Sequence, residues 1–345
     1  MRIAVDVMGG DHGCEVVVHG IKLALEAHPE ISALYAVGHK AGIEAALAKH
    51  HCHDKRLHVV HASEVLTMED KPLAGLRKKK DCSIARAVEL VKDGQADALV
   101  SPGNTGGVVT AATIRLRPIK GVERPAIATV IPAPQNEFVL LDAGANIECK
   151  PLHLAQFAVM GHVYAREALG IKRPRVGVLS VGTEEVKGND LTRETFRLCK
   201  NLDLNFIGNV EGHCLFANGV DVVVCNGFVG NIVLKTCESL ATNLFGWLKS
   251  ELTKNPKRLV GAYLAKNAFR AIKRRIDPEN HGGAPLLGLN NDVVISHGSA
   301  RERAIMNAIR QAVVANRSNI TTAIRREIAA ANIALAAAKS EAAAL

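Results

Sequence analysis

The feature that most constrains this chain is a unit it repeats: a run of β-branched apolar residues, a glycine-rich turn, then helical spacing. Its clearest instance is DVVVCNGFVGNIVLK, from Asp221 to Lys235. Val222–Val224 read as a buried strand. Gly227 and Gly230 break it, and Asn231 is expected to open a helix. A strand that feeds a helix through a tight loop gathers backbone N–H groups around one point, which suits phosphate or an oxyanion. DALVSPGNTGGVV, from Asp97 to Val109, repeats the same V-x-x-G-x-x-G frame. Its Ser101, Asn104 and Thr105, with the amides of Gly106 and Gly107, form a second candidate cradle.

Other strand ends carry similar decoration. Met1–Val7 runs into MGGDHG, where Asp6, Gly9, Gly10 and His12 surround a turn. Two readings stand there: a ligand loop at the carboxyl end of the first strand, or a plain turn with Asp11 as cap. Phe138–Leu141 ends in LDAGAN, with Asp142 and Asn146. Arg175–Ser180 ends in VGTEEVKGN, where Lys187 stands near carboxylates and glycines. Lys187 suits a phosphate clamp or an acid–base role, or else an exposed ion pair. The alternation of strand and helix predicts an α/β fold with a mostly parallel sheet between helical layers.

With 345 residues the chain can bury a large core. Its formal charge of +9 favours anionic partners, but only 3% of residues are aromatic. Single strands of nucleic acid are gripped by stacked rings, so nucleic acid is not an expected partner. The eight cysteines include no C-x-x-C pair, so neither a zinc knuckle nor a redox pair is indicated. No signal-peptide core or membrane-length apolar run occurs, and a cytoplasmic protein with reduced thiols is expected. His50, His51, His53, His58 and His61 cluster, but they read as a solvated loop leading into a strand. The basic row Arg77–Lys80 reads as contact with an anionic partner or as a solvated face. Residues 250–276 interleave Leu259, Val260, Tyr263 and Leu264 with many lysines and arginines. That pattern predicts a helix pair that either dips into an anionic bilayer or packs in an oligomer interface. The alanine-rich end, 319–345, is expected to be helical, and peripheral after about Arg326.

MRIAVDVMGGDHG, SPGNTGG, LLDAGAN, VGTEEVKGN, IGNVEG, NGFVGN, GGAPLLGL and ISHGS occur in that order. Together they resemble the PlsX family of phosphate acyltransferases, from residue 1 to about 318. The resemblance implies a single large α/β catalytic domain over 1–318, similar in fold to phosphotransacetylases and to isocitrate/isopropylmalate dehydrogenases. It implies transfer of an acyl group from acyl carrier protein thioester to inorganic phosphate, without a cofactor or metal. It implies a homodimer at the membrane surface that passes acyl phosphate to a membrane glycerol-3-phosphate acyltransferase (PlsY). Lys187 and Asn231 match the family's proposed catalytic lysine and asparagine. On the residues themselves, the Ser101–Gly107 loop is assigned to phosphate. Gly227–Asn231 is assigned to the acyl carbonyl, and His12 to the leaving thiol. Cys225 offers a covalent route as an alternative. Two other activities stay open: a decarboxylating hydroxy-acid dehydrogenase, or a phosphotransacetylase acting on a small acyl thioester.

Overall fold

A computed structural model describes residues 1–276, 279 and 282–344, with side chains up to Lys339. The strands are β1 (Arg2–Asp6), β2 (Ala33–Gly38), β3 (Leu57–His61), β4 (Ala98–Ser101), β5 (Ala126–Pro132) and β6 (Glu137–Leu141). They continue with β7 (Arg175–Leu179), β8 (Asn205–Val210), β9 (Val222–Val224), β10 (Ala284–Leu287) and β11 (Asp292–Ile295). The helices of the first half are α1 (Gly13–Ala27), α2 (Lys40–Lys49), α3 (Pro72–Lys78), α4 (Ser83–Lys92) and α5 (Thr105–Arg115). Next come α6 (Pro151–Leu169), α7 (Asp190–Lys200), α8 (Gly227–Leu252), α9 (Pro256–Leu264) and α10 (Lys266–Ile276). α11 (Glu302–Arg317) and α12 (Ile320–Ala344) close the chain, and Leu345 lies outside the described residues.

The described strands form one sheet in the order β3-β2-β1-β4-β11-β10-β5-β6-β9-β7-β8. Every neighbour pair is parallel except β10 with β11, β10 with β5, and β5 with β6. Strand side chains alternate between two helical layers, as a strand covered on both faces must. Ile3, Val5, Ala98 and Val100 face the core under α1 and α11, whereas Ala4 and Leu99 face the core under α4 and α5. In the second half Val222 and Val224 meet the core under α6 and α12, while Val223 meets Phe138 and Leu140 on the other face. Each large side chain enclosed in this way stabilises the fold by about 1.5–3 kcal/mol. Ala143 and Leu234 join the α4–α5 core, so the second half packs directly on the first.

Three expectations need correction. Asn231 does not open its helix. α8 begins at Gly227, because the Asn226 side chain accepts a hydrogen bond from Val229 N at 2.9 Å and caps it there. The start of the segment after Arg326 is not peripheral. Ile328 and Ala331 on α12 are buried against α6, and Asn332 donates to Gly121 O at 3.0 Å. Nor is 250–276 a two-helix unit on its own, since its first residues finish α8 before α9 and α10 begin. No helix among the described residues is long and apolar enough to cross a membrane.

Candidate active site

The ends of β1, β4 and β11 build a first loop cluster. Asp6 is fully buried, accepting from Ser101 Oγ at 2.8 Å and from Met8 N at 3.1 Å. Burial pushes its carboxyl above the ordinary range, opposed by the nearby Ser83 hydroxyl and by the hydrogen bonds from Ser101 and Met8. Ser101 Oγ in turn accepts from Gly103 N at 3.1 Å. Gly9 sits so close to Gly103 that a Cβ would lie 2.6 Å from its nitrogen. Gly10 faces Pro102 and the Gly298 carbonyl, which also accepts from Asp11 N at 2.8 Å. Asp6 and Ser101 are therefore enclosed supports of the turn.

Asn104 is likewise occupied. Its Oδ1 accepts from Gly107 N at 2.9 Å and caps α5, while its Nδ2 donates to the carbonyls of Thr67, Met68 and Asp70. Gly106 and Gly107 make room for Pro72 and Leu66 of the overlying segment. The amides of Thr105 and Gly106 are left without a protein partner among the described residues, and Thr105 is exposed. A helix N-terminus with free amides attracts an anion. His12 is exposed at the cap position of α1.

The second cluster follows β6 and β9. Asp142 is fully buried and accepts from Ile127 N, Gly144 N, Ala145 N, Asn146 N and Asn146 Nδ2 at 2.7–3.1 Å. Burial raises its carboxyl above the ordinary range against those donors. A Cβ on Gly227 would lie 2.7 Å from Asn146 O, and one on Gly230 would overlap the Asp142 carbonyl. Three of the four amides of the expected cradle are thus spent inside the protein, and Phe228 N is left without a partner among the described residues. Gly227 N donates to Asn146 O, Val229 N to Asn226 Oδ1, and Gly230 N to Asn226 O. The Asn231 side chain is exposed and lies over Gly144.

Lys187 stands on the loop after β7, the strand beside β9. Its ammonium is exposed and makes no ion pair among the described residues. The neighbouring Glu185 pairs with Lys200 at 2.7 Å instead. Behind this loop Ser180 Oγ and Asn209 Oδ1 are buried without a partner among the described residues. Each such atom costs about 1–3 kcal/mol unless something satisfies it. Cys225 is buried and its thiol is pushed far up by desolvation, then by Asp142, a setting that disfavours the thiolate a nucleophile needs.

Sequence reasoning missed the residue that joins the clusters. Lys235 lies one turn after Asn231 on the same face of α8. Its Nζ is 2.8 Å from His297 Nε2, and His297 Nδ1 is 2.7 Å from Ser299 Oγ. The i, i+4 spacing was a usable signal, but only the fold brings His297 beside Lys235.

A family of fatty acid synthesis proteins matches residues 1–323. The chain belongs to that family. A phosphate acyltransferase from Nitratiruptor sp. is 44% identical over 329 residues, covering 95% of this chain and 98% of its own. One from Desulfitobacterium hafniense is 46% identical over the same shares of both chains. Among solved structures, a phosphotransacetylase from Streptococcus pyogenes superposes with a TM-score of 0.61 at 19% identity. That superposition covers 95% of this chain and 94% of the other. The sheet with its helical layers is therefore a phosphotransacetylase-like fold.

Proposed function

We propose that this protein moves a fatty acyl group from the thioester of acyl carrier protein to inorganic phosphate, giving acyl phosphate for phosphatidic acid synthesis. The observation that carries this reading is the near full-length likeness to phosphate acyltransferases. A phosphate oxygen attacks the thioester carbonyl, a C–O bond forms, and the C–S bond breaks. The departing thiolate takes a proton, for which His12 is the candidate donor. Holding phosphate and thioester together removes much of the entropic barrier.

In this reading the amino end of α5 receives the phosphate through the Thr105 and Gly106 amides. Lys187 neutralises its charge. Asn231 donates to the tetrahedral oxyanion, an interaction worth about 3–4 kcal/mol. Asp6, Gly9, Gly10, Asp142, Asn146, Gly227 and Gly230 position these groups by fixing the loops. The buried Cys225 speaks for direct transfer rather than an acyl-enzyme.

The surroundings fit a protein that works at the inner face of the membrane. Leu259, Val260, Tyr263 and Leu264 are 56–79% exposed on a basic helix pair, which suits insertion into anionic lipid. Leu240, Leu244, Trp247 and Leu248 leave an apolar stripe on α8 that suits a second copy of the chain. PlsY in the membrane would receive the product.

The test mixes purified protein with long-chain acyl carrier protein thioester and phosphate, and traps acyl phosphate with hydroxylamine. Expected are phosphate-dependent hydroxamate and one free thiol per turnover, with little turnover of acetyl thioester. Lys187→Ala and Asn231→Ala should each lower kcat about 10²–10³-fold. Full activity in both variants would remove the role assignment. Absence of acyl phosphate from the native protein would remove the function.

A further inference from the structure

A cavity of about 500 Å³ lies at the opposite end of the second-half strands from the Lys187 loop. Its walls come from the last turns of α6, the α6–β7 turn, the start of β8, and α12. The volume lies in the range of small-molecule sites.

The chemistry of the walls is divided. Val159, Leu202, Leu204, Ala331 and Ala334 give an apolar floor. α12 presents alanines here, and their small side chains leave the space open. Arg166, Lys172, Arg173 and Arg326 stand around the cavity. Of its two carboxylates, Glu327 is held by Arg166 at 2.7 Å and Arg326 at 3.3 Å, and Asp203 is exposed. Lys172 and Arg173 are exposed and enter no ion pair among the described residues. No aromatic ring lines the cavity apart from the His162 imidazole, so it offers little for a flat base to stack on.

One buried group points to a missing partner. His162 is only 7% exposed and lines the wall. Its Nε2 lies 3.4 Å from Arg166 Nη1, while its Nδ1 has no partner among the described residues. A buried ring nitrogen is seldom left in that state.

We propose that this cavity binds a single-chain amphiphile with an anionic head, carboxylate or phosphate. The chain lies on the α12 alanines, and the head, held by Lys172 and Arg173, supplies the partner that His162 Nδ1 lacks. The site stands apart from the proposed transfer site and does not rest on it.

Calorimetric titration of the full chain with decanoate and with decyl phosphate, both below micelle concentration, tests this. At least one of the two should bind. Binding of decanoate alone, or of decyl phosphate alone, assigns the head and supports the site. Lys172→Ala/Arg173→Ala should weaken binding about tenfold, as loss of two partly exposed ion pairs would. Ala334→Leu should abolish it by filling the floor, and the binding that these changes remove should persist in Lys187→Ala. Unchanged affinity in the double variant, whose surface substitutions spare the fold, would overturn the proposal. So would decanol binding as tightly as the anions, or inorganic phosphate competing as well as decyl phosphate.

Discussion

At Gly230 the backbone of α8 presses on the carbonyl of Asp142, and a methyl group there has no room. The contact matters because Asp142 anchors the LDAGAN loop through five hydrogen bonds. Gly230→Ala should therefore push the first turns of α8 away from Gly144 and take Asn231 with them. The expected cost is about 1–3 kcal/mol of stability from overpacking. Urea denaturation measures that part. A fall in kcat larger than the change in KM measures the displacement of Asn231. A variant with native stability and kcat would show that the close approach is not needed. The sequence picked out Gly227 and Gly230, but not the close packing on Asn146 and Asp142 that both positions serve. A glycine loop before a helix suggests open amides. Whether the amides are open depends on Asn226 and Asn146, and only the fold aligns Asn146 O with Gly227 N. The same limit applies to Asn104, whose three carbonyl acceptors lie more than thirty residues earlier in the chain.

At the scale of the element, the helix pair α9–α10 shows how composition survives into structure. No residue of either helix is buried. An amphipathic helix that nothing covers needs a surface to lie on. Burying one large aliphatic side chain in lipid is worth about 2 kcal/mol, and nearby lysines and arginines add attraction to anionic headgroups. Leu259→Glu/Val260→Glu/Leu264→Glu should thus abolish flotation with vesicles of anionic lipid, while native protein should detach progressively as salt rises. Unchanged flotation of the triple variant would exclude this face. A shift in sedimentation without loss of flotation would assign it to contact between copies instead. The apolar and basic interleaving was legible because it is local in sequence. The start of α8 was less so, because the V-x-x-G-x-x-G frame does not say which of its asparagines caps the helix.

At the scale of the whole molecule, the strand–loop–helix alternation made the parallel sheet readable. The antiparallel excursion through β10 and β5 was not, because a four-residue strand such as Ala284–Leu287 carries no direction in its sequence. The last helix was misread for a related reason. Alanine-rich sequence suggests a frayed end, yet Ile320, Ile324 and Ile328 recur at helical spacing and are each at most 1% exposed. They close the core formed by Phe157, Met160 and Tyr164 of α6. The Arg166–Glu327 pair and the Gln156–Asn332 hydrogen bond fix how α12 lies on α6. Ending the chain after Asn319 would leave that face of α6 in water. Three isoleucines represent about 5–9 kcal/mol of burial as an upper bound, since the unfolded chain hides part of the same surface. The entropy returned by freeing α12 offsets some of this. Roughly 3 kcal/mol remains, which should lower Tm by about 4 °C in a chain of this length. Thermal unfolding by circular dichroism checks it. Because the loops proposed to carry the transfer lie at the far end of β7 and β8, the truncated protein should retain acyl transfer below its new Tm. An unchanged Tm would mean that α12 rests on the core without holding it together.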